Sequence, residues 1–209
     1  MSGHLIVTGT DTGVGKTVIS AALVHALGAA YWKPVQAGLD EETDREAVTR
    51  LARLRDDRVF PEAYRLKTPA SPHFAAAEEG VLIDPDRLTP PQSDRLLVIE
   101  GAGGVLVPLA EPLLYADMFA QWRAPVVLVA RTSLGTINHS LLSIEALRSR
   151  NIPIAGIAFV GDAVPDSERT ICAIGQVRRL GRLPHLSALD YETLHMAFAE
   201  GFDLEALDL

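Results

Sequence analysis

Residues 6–20 of this sequence read IVTGTDTGVGKTVIS, and their types and spacing are those of a phosphate cradle. An apolar run from Leu5 to Val7 turns at Gly9, crosses a polar loop containing glycine, and re-enters an apolar-periodic segment after Lys16 and Thr17. A strand, a loop and a helix start in that order hold an anion. Backbone N–H groups of the loop and the helix start surround phosphate oxygens, the lysine reaches the outer phosphates, and the hydroxyl of Thr17 can hold Mg²⁺. ATP or a similar nucleotide is the expected ligand. Its contacts are placed on Asp11, Thr12, Gly13, Val14, Gly15, Lys16, Thr17 and Val18. The loop is one residue longer than the usual pattern, because Thr10 stands where the first glycine is expected and Gly9 comes one step earlier.

Four other segments carry suggestive chemistry. In YWKPVQAG, Lys33 places a cation at a strand end; seen alone, it reads as a lysine snorkelling from the sheet edge. Asp44 falls in the first turn of a helix begun by Thr43 and Glu46, where an acid complements the helix dipole. Glu100 ends the apolar run of LLVIEGAGG, and a carboxylate there is costly unless it is paired or near a metal, so it reads as functional. In LVARTSLGTINHSLL, Gly135 and Thr136 open a helix with Asn138 in its first turn. Its free N–H groups could accept an anion, although a plain helix start needs no ligand. His139 reads as a packing or surface residue.

These residues need elements to place them. Short apolar runs at 5–9, 30–35, 95–100, 126–130 and 154–160 alternate with helical segments, and they are apolar on both faces. That pattern predicts an α/β fold with a doubly wound, mostly parallel sheet flanked by helices, in which ligands lie beyond the carboxyl ends of the strands. Helix starts are expected at Thr43, at Ser71 with Pro72, and at Thr136. No linker, repeat or low-complexity run divides the 209 residues, which are read as a single domain over 1–209. A net charge of −8 argues against a nucleic-acid partner. No apolar stretch approaches the roughly 20 residues that cross a bilayer, and no secretory leader opens the chain, so no membrane partner and a cytoplasmic location are expected. The single cysteine, Cys172, has an apolar helix-like context and reads as core packing.

Taken in order, TGTDTGVGKT, KPVQAG, EGAGG, LGTINH and GRLPHL resemble the motifs of the dethiobiotin synthetase family over nearly the whole chain. The resemblance implies an ATP- and Mg²⁺-dependent ligase of biotin biosynthesis with a P-loop fold. Such an enzyme carboxylates 7,8-diaminopelargonate with CO₂ or bicarbonate and closes a ureido ring through a carbamate and a carbamic-phosphoric anhydride. It further implies Lys16, Lys33 and Thr12 as catalytic, Thr17, Asp44 and Glu100 as metal ligands, and Gly161 and Pro184 near the base. Substrate contacts would come from Thr12, Lys33, Ala37, Glu100, Gly101, Ala102 and Gly103. The family is a homodimer, and Gly135, Thr136 and Asn138 would receive the substrate's tail carboxylate from the neighbouring subunit.

Three departures accompany the resemblance. Ala37 replaces a hydroxyl residue, Val160 or Gly161 falls where an asparagine reads adenine, and the connection between the first helix and the second strand is short. A partner-regulated P-loop ATPase of the partitioning or metallochaperone kind is the alternative from another class. Thr10 and Asp11 stand where such proteins carry a signature lysine, and there is no Cys or His ligand cluster. The amide-forming synthetases of cobalamin synthesis add a glutaminase domain for which this chain has no room. A non-catalytic nucleotide-binding protein is the last reading, since motifs alone do not establish turnover.

Overall fold

Leu5 and Val7 pack into one apolar cluster and Ile6 into another, all three fully buried. Successive side chains of a strand point to opposite faces, so a strand apolar at every position must be covered on both. The computed structural model describes residues 3–207 and supplies that cover. In chain order the strands are β1 (Gly3–Gly9), β2 (Ala30–Trp32), β3 (Val35–Ala37), β4 (Val59–Phe60), β5 (Tyr64–Leu66), β6 (Leu96–Gly104), β7 (Val126–Arg131), β8 (Ile154–Val160) and β9 (Arg179–Leu183). The helices are α1 (Lys16–Ala26), α2 (Asp44–Leu51), α3 (Pro72–Glu78), α4 (Tyr115–Trp122), α5 (Thr136–Arg148), α6 (Pro165–Gly175) and α7 (Tyr191–Gly201).

Seven strands form one parallel sheet in the order β4-β2-β6-β1-β7-β8-β9. Helices α1, α2 and α7 cover one face through Ile19, Leu51 and Phe198; α3 to α6 cover the other through Ala75, Phe119, Leu147 and Ile171. The chain adds strands on one side of β1 and later on the other, so the carboxyl end of β1 is a switch point. A crevice for ligands opens there, and the phosphate loop fills it.

The expected strand over 30–35 is cut at Lys33 and Pro34. Proline has no N–H to give a ladder, and the Pro34 carbonyl instead accepts from the N–H groups of Ala63 and Tyr64 at 2.9 and 3.1 Å. Past the break, β3 pairs with β5 in a separate two-stranded parallel sheet. The cut swings the chain toward the crevice. Helix α2 starts as expected, with reciprocal bonds between Thr43 and Glu46. Pro72 opens α3, but the Ser71 side chain makes no cap bond. At α5, Gly135 takes the cap position with φ +94°, a conformation that favours glycine, and Thr136 is the first helical residue. Cys172 is half-buried against the core that covers the α3–α6 face.

Candidate active site

The phosphate loop leaves β1 at Gly9 and enters α1 through Gly15, whose φ of +96° favours glycine. A Cβ on Gly15 would also stand only 3.1 Å from a methyl of Val160. Val14, 2% exposed, anchors the loop to the core, and Thr12 turns into the crevice. Asp11 is exposed. Its Oδ1 accepts from the Thr12 N–H at 2.7 Å, its Oδ2 pairs with Arg131, and its carbonyl accepts from Lys16 Nζ at 3.0 Å. Lys16 therefore has a carbonyl partner but no carboxylate in contact. Burial, with the positive charge of Lys33 nearby, lowers its pKa to about 8.

Beside the loop lies a polar cluster in which Lys33 and Glu100 are buried and Asp44 and Thr17 half-buried. Lys33 is 3% exposed and points inward: its Nζ lies 2.8 Å from Asp44 Oδ2, 3.1 Å from Glu100 Oε1 and 3.2 Å from the Gly101 carbonyl. The snorkelling reading is thereby excluded. Thr17 Oγ1 is within hydrogen-bond reach of both Asp44 Oδ1 and Glu100 Oε1, the latter at 3.0 Å. Glu100 has no solvent exposure, and the hydroxyl of Tyr31 donates to its second oxygen, Oε2, at 2.9 Å. Burial alone would pull the Lys33 pKa down, but the Glu100 and Asp44 carboxylates outweigh it and hold the ammonium charged. Burial likewise opposes ionisation of Asp44, and Lys33 outweighs it, so this carboxyl titrates below the usual range.

The two carboxylates and the hydroxyl bring hard oxygen donors to one place. Among the described residues, no group of three His, Cys, Asp or Glu side chains converges as a metal site. A smaller protein donor set of this kind suits a cation that keeps waters and takes phosphate oxygens, as Mg²⁺ does. The residues fit that ion.

These groups line a cleft of about 610 Å³ together with Gly13, Gly15, Val18, Ala37, Ala102, Gly103 and residues 69–72. Gly101 meets the cluster through its carbonyl, while a Cβ on it would press to 2.9 Å from Phe119. On the other flank of the loop lies a second cleft of about 1130 Å³, which shares Gly13 and Gly15. Gly135, Thr136 and Asn138 line this one, with Val14, Arg131, Val160, Gly161 and His185. Within one chain they are thus not gathered with Lys33. Pro184 follows β9 without lining either cleft, and His139 is exposed.

Sequence reasoning missed Tyr31, Gln36 and Arg131. Gln36 Oε1 accepts from the Asp44 N–H at 3.2 Å while its Nε2 donates to the carbonyls of Ala37 and Gly38, so it ties the end of β3 to the start of α2. A polar residue inside the short apolar β3 was its only local signal.

Residues 3–193 match a protein family described as an AAA domain. The chain is 64% identical over 204 residues to a protein named ATP-dependent dethiobiotin synthetase BioD from Rhodopseudomonas palustris (strain BisA53), spanning 98% of this chain and 96% of the relative. A protein of the same name from Rhizorhabdus wittichii is 65% identical over 205 residues, 98% of each chain. Among solved structures, a ParA family ATPase from Chlorobium tepidum TLS superposes over all of both chains with a TM-score of 0.53 at 11% identity, a likeness of fold alone. Sequence identity near two thirds across the full length is a different order of kinship, and it bears on the chain that carries this Lys33, Asp44 and Glu100 cluster: the protein belongs to the ATP-dependent dethiobiotin synthetase family.

Proposed function

We propose that the chain closes a ureido ring on 7,8-diaminopelargonate with CO₂ or bicarbonate and ATP, giving dethiobiotin, ADP and phosphate in biotin biosynthesis. One observation carries the reading at the level of residues: Lys16, the buried Lys33 and Glu100, and the half-buried Asp44 and Thr17 stand in one cleft at the end of the phosphate loop. One amine of the substrate takes up CO₂ as a carbamate and releases a proton. The carbamate oxygen attacks the γ-phosphorus as ADP leaves, and the second amine then attacks the carbamoyl carbon and expels phosphate. No covalent bond to the protein is needed, so the residues act by position and charge.

Lys16 leaves the Asp11 carbonyl for the outer phosphates, and Lys33 faces the carbamate and the transferring group. Thr12 and the open backbone of Ala102 and Gly103 border the reacting amines, with Ala37 offering only a methyl group. Thr17, Asp44 and Glu100 would hold Mg²⁺, which when bound neutralises phosphate charge. The nucleoside extends into the second cleft past Gly161, with Pro184 beyond. A homodimer completes the site: Gly135, Thr136 and Asn138 of a neighbouring copy receive the tail carboxylate. Supporting this, Gly135 and Asn138 are exposed, as are Leu134 and Leu142 beside them. No described helix is long and apolar enough to cross a membrane, and the cytoplasm is the proposed compartment.

The test is direct. Purified protein given the diamine, bicarbonate, ATP and Mg²⁺ should yield a product heavier than the diamine by one carbonyl less two hydrogens, read by mass spectrometry. ATP hydrolysis that needs a protein partner and gives no such product would refute the reading.

A further inference from the structure

Glu100 is held from two sides, and the side away from the cleft has no role in the reaction above. Tyr31 lies beside Val98 in the parallel register of β2 and β6, two residues before Glu100, and Tyr31 and Val98 share one apolar face. Two residues of strand rise about 6.6 Å, which is the reach of a tyrosine side chain laid along the sheet. Its hydroxyl therefore arrives at Glu100 Oε2, where the 2.9 Å bond is made in full burial. Oε1 takes the opposite set, Lys33 and Thr17, which line the cleft as Tyr31 does not. The carboxylate is thus oriented with one oxygen committed to the core and one turned to the cleft.

We propose that Tyr31 is a positioning residue that confines Glu100 to one-oxygen coordination and so makes the site favour a small octahedral cation over a larger one. Mg²⁺ demands near-ideal octahedral geometry and commonly takes carboxylates through single oxygens. Ca²⁺ accepts six to eight oxygens and readily takes both oxygens of one carboxylate. A phenol bonded to Oε2 withholds the second oxygen that Ca²⁺ would use. It also fixes the carboxylate plane, so that Oε1 need not be reoriented when a cation arrives. The inference rests on the reading that Glu100 is a metal ligand.

The test compares binding of a non-hydrolysable imido analogue of ATP, saturated with either Mg²⁺ or Ca²⁺, to the full-length protein by calorimetry. Tyr31→Phe should lower the preference for the Mg²⁺ form about tenfold, the scale of losing one hydrogen bond to a charged group. The metal-free analogue should bind as it does to wild type, a result that general damage to the site would not give. Tyr115→Phe is the matched control, since that buried hydroxyl makes no hydrogen bond to Glu100; it should keep the wild-type ratio. Should Tyr31→Phe not fold, Tyr31→Met fills the same slot without a hydroxyl. If Glu100→Gln leaves both metal forms bound as in wild type, the metal-ligand reading falls and the inference with it. If Glu100→Gln weakens them but Tyr31→Phe leaves the ratio unchanged, the inference alone is overturned.

Discussion

Removing the charge of Lys33 should cost the protein both turnover and stability, and the second loss can be sized from the cluster. The Lys33 ammonium is the near neighbour that neutralises both Asp44 at 2.8 Å and Glu100 at 3.1 Å. In Lys33→Gln two carboxylates remain side by side, one with no solvent exposure. Breaking a buried pair by deleting one partner costs roughly 3–5 kcal/mol. The Asp44 side chain keeps 28% exposure, and one carboxylate can take up a proton, so the low end applies. A loss of about 3 kcal/mol in a chain of this size lowers Tm by roughly 6–12 °C. Calorimetry in the absence of metal and nucleotide measures it. The double variant Lys33→Gln with Glu100→Gln removes one of the two crowded charges and should regain more than half of the lost Tm, a non-additivity expected of residues in contact. Turnover, assayed well below the lowered Tm, should fall about 10²-fold or more. A Tm within 2 °C of wild type, roughly within 1 kcal/mol, would refute the claim that Lys33 neutralises the pair. Near-normal turnover would remove it from the site.

Lys16→Gln should abolish turnover while leaving Tm unchanged or raised, because Lys16 is buried against a carbonyl with no carboxylate in contact. Its folded pKa of about 8 lies below its ordinary 10.5, so the unfolded chain binds more protons in that window and wild-type stability should rise with pH from about 8 to 10.5. Urea melts across that range should lose this rise in Lys16→Gln; a rise of the same size in the variant would show that another group causes it. Asn138→Ala should raise the KM for the diamine more than it lowers kcat, since a tail contact is mostly uniform binding, and a fully active monomer in sedimentation would remove the shared site. GTP or CTP should support turnover within about tenfold of ATP, a gap of roughly 1.4 kcal/mol. Gly161 has no side chain to read a base, its N–H donates to the Leu183 carbonyl, and its carbonyl accepts from Arg182 at 2.8 Å. A thousandfold preference for ATP in kcat/KM would place base recognition elsewhere.

How far the sequence carried the reading depends on whether a signal is local. The strands β1, β6, β7 and β8 are legible in the sequence because each contains a continuous apolar run, and such a run states its own need for cover on two faces. The Thr43 and Glu46 capping box, three residues apart, announced α2 correctly for the same reason. β9 was missed: its sequence, RLGRL, has arginines at Arg179 and Arg182 where a buried strand would show apolar residues. β4 is only two residues long, and the β3–β5 sheet exists because Pro34 breaks the run that β2 began.

The site divides along the same line. Glu100 was legible from where it stands, since a carboxylate ending an apolar strand declares an unmet need by itself. Lys33 and Asp44 were not, because each has an adequate local excuse, a strand end for one and a helix dipole for the other. Only the order of the sheet, which seats β6 directly beside β2, turns Lys33 inward onto Glu100 and brings the start of α2 to meet it. Tyr31 is the extreme case. Nothing within several residues of it distinguishes a core tyrosine from one that orients a carboxylate, and its meaning comes from pairing with Val98, sixty-seven positions away, two residues short of Glu100. A carboxylate that ends an apolar strand, as Glu100 does, shows itself by the cost of where it stands. A residue with an adequate local reason for its place, as Lys33, Asp44 and Tyr31 each have, shows its partner only when the register is known.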